Sequence, residues 1–245
     1  MELVKSEIID NIQIAKDTFS MALLGNWASI TATGQFVNIK LPGKYLRRPI
    51  SVCRVSGDVL TIVYKVVGDG TEMMSKMPEG TQLEVLSGLG NGFDVSISAA
   101  EPLIIGGGAG VAPMFGLGEA LIAAGKTPRA ILGFNSEDEV FLAKELSQLG
   151  IHTAISTVDG SLGVKGFVTD VMKSTAGKYD YVFTCGPEPM LKAVYNFDDI
   201  DGQYSFEARM ACGFGACVGC TCRTKYGAKR ICKDGPILQK GEIIW

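Results

Sequence analysis

Leu103-Ile104-Ile105-Gly106-Gly107-Gly108-Ala109-Gly110-Val111-Ala112-Pro113 decides the fold class. Leucine followed by two β-branched isoleucines makes a short buried strand, because such side chains pack well on a pleated surface. The glycines turn the chain where a Cβ would obstruct it. A helical stretch from Met114 to Ala124 comes next, and the rhythm then repeats. Ala130–Phe134 reads as a strand, Glu137–Leu149 as a helix with Leu142, Leu146 and Leu149 on one face, and Ile151–Ser156 as a strand. Phe167–Lys173 reads as a helix, Tyr179–Thr184 as a strand and Pro189–Tyr195 as a helix. Such alternation specifies a parallel α/β sheet, expected over residues 99–203.

Upstream the period changes. Glu7–Ile14, Phe36–Lys40, Ile50–Val55, Val59–Val66 and Gln82–Leu86 are β-branched or alternating runs. Leu41-Pro42-Gly43, Ser56-Gly57-Asp58 and Pro78-Glu79-Gly80 separate them as turns, and one helical piece falls near Gly70–Met77. A small antiparallel barrel or sandwich is expected over residues 1–98. Residues 204–245 follow neither rhythm and form a small module of their own. There Arg209, Arg223, Lys225, Lys229, Arg230, Lys233 and Lys240 outnumber Glu207, Asp234 and Glu242, whereas the rest of the chain is acidic.

The composition is that of a globular protein: 245 residues, 47% hydrophobic, 20% charged, net charge −3. That balance argues against nucleic acid or an anionic membrane as a general partner. No apolar run is long enough to span a bilayer, and the charged start MELVKSEIID lacks the apolar core of a secretory signal. A cytoplasmic location is expected. The seven cysteines then need an explanation other than disulfides.

Five of them crowd into Cys212, Cys217, Cys220, Cys222 and Cys232. The spacing C-x4-C-x2-C with a distant fourth cysteine is that of plant-type [2Fe-2S] ligands. Three thiolates on one tight loop can wrap two irons while the fourth returns from a separate turn. Gly213, Gly215 and Gly219 let backbone N–H groups face the sulfurs. A structural zinc site is the alternative, but zinc ribbons pair their ligands as two knuckles and the second knuckle is absent here. Cys222 reads as a non-ligand.

The glycine loop Gly106–Pro113 sits between strand and helix, where phosphates bind, although its register does not match G-x-G-x-x-G. Cys185-Gly186-Pro187-Glu188-Pro189-Met190 ends another strand of the same sheet, and open α/β sheets bind ligands at such ends. Gly107, Gly108, Gly110, Cys185, Gly186 and Pro187 are therefore the candidate dinucleotide contacts. After the second strand, Glu137, Asp138 and Glu139 stand where a 2′-phosphate would want a base, which favours NAD(H) over NADP(H). In the β-region, Arg47-Arg48-Pro49-Ile50-Ser51 and Gly68-Asp69-Gly70-Thr71 read as two halves of an anion site.

Together these pieces resemble the ferredoxin reductase superfamily. Within it they are similar to the electron-transfer subunits of NAD-dependent type B dihydroorotate dehydrogenase. The resemblance spans nearly the whole chain and also takes in Leu89-Gly90-Asn91-Gly92-Phe93, Lys165-Gly166-Phe167-Val168-Thr169-Asp170 and Cys232-Lys233-Asp234-Gly235-Pro236. It implies FAD held by Arg48, Pro49, Ile50, Ser51, Val63, Tyr64, Lys65, Gly70 and Thr71, and [2Fe-2S] ligands Cys212, Cys217, Cys220 and Cys232. It implies a partner, an FMN-containing catalytic subunit that oxidises dihydroorotate in pyrimidine biosynthesis, joined in a heterotetramer. Electrons would pass between that FMN and NAD+ through the cluster and FAD, with Ser51 near the flavin N5 and no general acid or base required of this chain. A subunit of another flavin/iron–sulfur NAD(P)H oxidoreductase, of the ferredoxin:NADP reductase or sulfide dehydrogenase type, is the alternative. His152, Met73, Met74, Met77 and Cys53 read as structural, and Trp245 as a packed tail rather than a flavin cover.

Overall fold

Val4, Ser6 and Ile8 are buried while Leu3 and Lys5 are exposed, the period of a strand with one face on a core. The computed structural model, which describes residues 1–97, 99–175 and 177–245, closes that strand into a barrel. Its elements are β1 (Glu2–Ala15), β2 (Thr18–Leu24), β3 (Phe36–Ile39), β4 (Arg48–Ser56), β5 (Val59–Lys65), a short helix α1 (Asp69–Ser75) and β6 (Gln82–Leu89). The strands run antiparallel in the order β1-β2-β5-β4-β3-β6, so of the two expected architectures the barrel is the one formed. Met21, Leu23, Val37, Ile39, Leu60, Ile62 and Val85 fill its interior, with Met74 of α1 packed into the same core. Strand β2 has no counterpart in the expected elements. Its run Met21-Ala22-Leu23-Leu24 is continuously apolar, so no alternation announces which face is inward.

The second body is a seven-stranded sheet. It contains β7 (Pro102–Gly107), α2 (Val111–Ala123), β8 (Arg129–Phe134), α3 (Ala143–Gln148), β9 (His152–Thr157), β10 (Val164–Lys165), α4 (Val168–Thr175), β11 (Tyr181–Cys185), α5 (Glu188–Tyr195) and β12 (Gly202–Ser205). With β15 (Ile237–Gln239) from the C-terminal segment, the strand order is β10-β9-β8-β7-β11-β12-β15, parallel up to β12. Both faces are covered: Ile104 packs on the α2 side, Leu103 and Ile105 on the α4 and α5 side. That is why the strand is apolar without alternation. Ser98, where the sequence reading ends the first domain, lies outside the described residues.

Two expectations change here. The helix read over Glu137–Leu149 is only α3. Val140 is extended and Leu142 is left-handed (φ 59°), because Phe141 drops into the core against Phe134, ring centroids 5.6 Å apart. Tertiary packing overrides the helical spacing before residue 143. The C-terminal segment is more regular than its sequence suggests. A hairpin, β13 (Thr221–Thr224) and β14 (Gly227–Arg230), is followed by one turn of helix, α6 (Ile231–Asp234). Then β15 (Ile237–Gln239) joins the sheet antiparallel to β12.

Helix α2 is buried nearly all round because it lies between sheet and barrel. Gly116 makes this possible on the barrel side: a Cβ there would lie 2.4 Å from the Cys53 carbonyl oxygen of β4. Gly118 does the same toward Ile151 and Leu146. Gly116→Ala is expected to lower stability by about 1–3 kcal/mol, read in thermal unfolding. A melting temperature equal to that of the parent chain would mean that barrel and helix do not bear on each other at this point.

Candidate functional site

The order of the sheet reverses between β7 and β11, whose carboxyl ends lie side by side with Cys185 in register with Gly106. A crevice at such a switch point is where open α/β sheets bind ligands. An apolar cleft opens there. Gly107, Gly108 and Pro187, from the two predicted loops, line it together with Gly133, Phe167 and Met190. Gly108 is left-handed (φ 52°) with open space around its Cα, so backbone faces the cleft. Gly110 and Cys185 stand behind that wall. A Cβ on Gly110 would lie 2.4 Å from the Cys185 carbonyl oxygen, so this glycine lets the two loops touch. The Cys185 thiol is buried in the core, and burial pushes it up to about 12. Its neighbour Gly186 packs against Met190 and Gly107.

Ser156 and Asn135, which the sequence reading passed over, also line the cleft, as does Glu139 of the acidic run. Ser156, at the end of β9, is fully buried and its hydroxyl has no partner. Asn135 and Glu139 stand at the end of β8, and Glu139 is the one charged residue among the described residues lining the cleft. The usable signal was position, since both sites follow strand ends of a parallel sheet. The acidic run does not stand free: Asp138 pairs with Lys16 at 3.0 Å and Glu139 with Lys65 at 2.9 Å, both lysines coming from the barrel. Against the cost of burial, the bonds from Lys65 and Asn135 hold the Glu139 carboxyl below its usual range.

On the barrel, Arg48 lies over Gly70, where a Cβ would be 2.1 Å from its Nε. The two predicted halves of the anion site therefore meet. Arg48 donates to the Leu46 carbonyl at 2.6 Å and is in no ion pair among the described residues, which leaves guanidinium donors for an anion. Thr71 is spent on the local turn, accepting from the Val67 and Gly68 N–H groups. Pro49 and Ser51 lie opposite Asn38 and Phe36 on the outer barrel face, and Ile50 is partly buried toward the interior. Val63 is buried and packs with the α2 core. The Tyr64 ring is inside the barrel, its hydroxyl bonded to Asn11 at 2.9 Å, and burial pushes it up to about 12. Lys65 is engaged by Glu139. What Val63, Tyr64 and Lys65 can offer a flavin is backbone. This donor set fits a dinucleotide flavin: one unpaired guanidinium, glycine clearance beneath it and strand backbone beside it.

The cysteine loop sorts its thiols into pairs. Cys212 and Cys217 sulfurs are 3.4 Å apart, and the Cys217 N–H donates to the Cys212 Sγ at 3.4 Å. The Cys232 N–H donates to the Cys220 Sγ at 3.5 Å. The second pair is buried and the first half-exposed. Although burial works against it, the N–H groups of Cys217, Phe214 and Gly215 bring Cys212 down to about 6. Burial, then the neighbouring Cys220, pushes Cys232 up to about 12. Gly213 (φ 76°) and Gly215 (φ 90°) adopt backbone that side chains disfavour, and they make the tight loop possible. Among the described residues no three Cys, His, Asp or Glu side chains gather round one point. Thiols arranged in two pairs suit a cluster of two irons.

A family profile for the iron–sulfur cluster binding domain of dihydroorotate dehydrogenase B matches residues 207–244, and one for the oxidoreductase NAD-binding domain matches 104–196. The dihydroorotate dehydrogenase B (NAD(+)) electron transfer subunit of Fusobacterium nucleatum is 42% identical over 257 aligned positions, covering 99% of both chains. That of Clostridium perfringens is 39% identical, covering 99% of this chain and 98% of its own. This chain belongs to the dihydroorotate dehydrogenase B electron transfer subunit family. Among solved structures, an NADH-dependent reduced ferredoxin-NADP oxidoreductase superposes with a TM-score of 0.89 at 29% identity, over 98% of this chain and 90% of that one. Phthalate dioxygenase reductase shares the fold at a TM-score of 0.66 and 22% identity, over 80% of this chain and 64% of that one.

Of the remaining family features, Trp245 packs against Tyr195 and Phe206, ring centroids 5.9 and 5.5 Å away, on the α5 side of the sheet. His152 is exposed at the start of β9, and Cys53 is buried, its thiol pushed up to about 12 by burial. Cys222 sits on β13 across from Lys229, half-buried. Cys222→Ser is expected to keep the visible absorption of the purified protein within about a tenth of the parent value, since a non-ligand leaves the cluster's charge-transfer bands in place. Loss of those bands would make Cys222 a ligand.

Proposed function

We propose that this chain relays electrons between NAD(H) and a dihydroorotate-oxidising catalytic subunit, as the electron transfer subunit of an NAD-dependent dihydroorotate dehydrogenase in pyrimidine biosynthesis. One observation carries the reading. The strand-end crevice, the Arg48–Gly70 anion site and the paired cysteines all lie on a single chain, and the outer barrel face that holds the cysteine segment adjoins the strand bearing Arg48 to Ser51. When bound, FAD exchanges a hydride with NAD(H) and single electrons with the [2Fe-2S] cluster.

The protein's own part is to bind and orient. Gly107, Gly108 and Pro187 shape the dinucleotide cleft and Ser156 offers it an unpaired hydroxyl, while Gly110, Cys185 and Gly186 back its wall. Glu139, the one charged residue among the described residues lining the cleft, suits a ribose hydroxyl better than a phosphate. Arg48 and Gly70 would hold the flavin pyrophosphate, with Pro49, Ile50, Ser51 and Thr71 beside it and the backbone of Val63, Tyr64 and Lys65 along its edge. Cys212, Cys217, Cys220 and Cys232 would ligate the irons. We divide the chain into a flavin barrel of residues 1–98, a nicotinamide domain of 99–203 and a cluster module of 204–245.

The loop of the half-exposed pair presents Phe214 and Val218 to solvent, an apolar surface that suits the docking of a partner. The partner is proposed as an FMN-containing subunit in a heterotetramer, and the location as cytoplasmic. No described helix is long and apolar enough to cross a membrane.

The test is a visible spectrum before and after anaerobic NADH, with copurification of partners. Flavin absorption at about 450 nm with a shoulder toward about 550 nm, both bleaching, is expected. Cys217→Ser should keep the flavin and abolish NAD+-coupled orotate formation. Coupled turnover at the parent rate would take the cluster off the path. A colourless, zinc-holding protein would refute the relay. Copurification with a larger iron–sulfur flavoprotein would favour the ferredoxin-type reading that the NADH-dependent ferredoxin-NADP oxidoreductase likeness leaves in view.

A further inference from the structure

Strand β3 reads Phe36-Val37-Asn38-Ile39, and all four residues are buried. Val37 and Ile39 point into the barrel, whereas Phe36 packs outward in the cluster that holds Cys220, Ile231 and Cys232. Alternation puts Asn38 on that outward face as well. It is 1% exposed and the only polar residue of the strand. Its Nδ2 donates to the Cys212 carbonyl at 3.3 Å, among the described residues the one hydrogen bond from the barrel to the cysteine loop. Its Oδ1 is buried with no partner. An apolar residue would avoid the cost of an unmatched amide, and nothing in the barrel's packing calls for one here.

The register shows what Asn38 stands between. It lies directly opposite Pro49, as Phe36 lies opposite Ser51, so the outward face of β3 continues into the strand assigned to the flavin. Side chains paired in this way are about 5 Å apart. On the other side Gly213 is left-handed, and a Cβ there would lie 2.3 Å from the Asn38 Nδ2. The peptide after Cys212 is therefore pressed against the Asn38 amide. The backbone of Asn38 is itself held, since Arg47 reaches its carbonyl at 3.5 Å and that of Glu84 at 3.0 Å.

We propose that Asn38 is a positioning residue for electron transfer: it fixes the Cys212 end of the cluster loop against the flavin strand and, through its hydrogen bond, tunes the cluster. The inference rests on the flavin and cluster assignments proposed above. Electron transfer falls steeply with distance, so a loop pinned to the strand keeps the rate high. A donor on the carbonyl of a ligating residue draws charge from it and shifts its potential.

The test uses the full chain with flavin and cluster, mixed anaerobically with NADH in a stopped-flow cell, and the low-temperature EPR spectrum of the reduced cluster. Asn38→Leu removes the donor at similar size; Asn38→Val removes it with a smaller β-branched side chain that suits a strand. Both are expected to slow the cluster phase at about 550 nm by about tenfold or more relative to the flavin phase at about 450 nm, with shifted g-values and midpoint potential. Unchanged phases and spectra in both variants would overturn the proposal. So would equal loss of flavin and cluster in both, which would make Asn38 a fold residue. If Asn38→Leu fails to fold, Asn38→Val decides. A parent chain lacking flavin or cluster would refute the functional reading instead.

Discussion

The structure depends on how the C-terminal segment is fastened to the barrel. Asn91, just past β6, donates its backbone N–H to the Gly235 carbonyl at 2.7 Å and its Nδ2 to the Ile237 carbonyl at 2.8 Å. Its Oδ1 accepts from the Ile237 N–H at 3.0 Å. These bonds grip the chain between Cys232 and β15. Gly90 adds close approach, since a Cβ there would lie 2.6 Å from the Pro236 ring. Apolar packing of Phe36 and Leu89 against Cys220, Ile231 and Cys232 completes the attachment. This attachment places the cysteine segment against β3, which pairs with β4.

The same economy runs through the rest of the molecule. Contacts between bodies are made by few polar groups, and the less exposed of them fix a position as well as adding stability. Lys65 and Lys16 tie the loop after β8 to the barrel, which draws Glu139 to the rim of the strand-end cleft. Gln203 of β12 spans the sheet–barrel junction through the backbone of Asp94, accepting from its N–H and donating to its carbonyl. Helix α2 supplies the apolar counterpart, with glycines on two faces. The proposed cofactor sites are thus brought together by contacts that themselves touch no cofactor.

Much of this was legible in the residues. The β-rich start, the strand–helix rhythm from Leu103 and the cysteine spacing are local patterns, and each appears in the fold. The misses share one cause. Strand β2 hides its alternation in a continuous apolar run, the chain before α3 is bent by Phe141 seeking the core, and β15 is too short to announce itself. Ser156 carries no motif; only its place at a strand end marks it. Asn91 sat inside a recognised motif, yet its role lies in a partner more than a hundred residues away in the chain.

The sequence by itself determined the element types, the closeness of the glycines to a strand end and the set of clustered thiols. These follow from side-chain shape, φ preference and short spacing, which act over a few residues. Only the tertiary structure decided that the strands close into a barrel and that Cys212 pairs with Cys217 and Cys220 with Cys232. It also decided that Arg48 meets Gly70, and that Asn38 lies between Pro49 and the cysteine loop. Those are questions of register and docking. They are settled when surfaces distant in sequence bury one another, because a strand's face and a loop's position acquire a preferred value only once there is something to pack against.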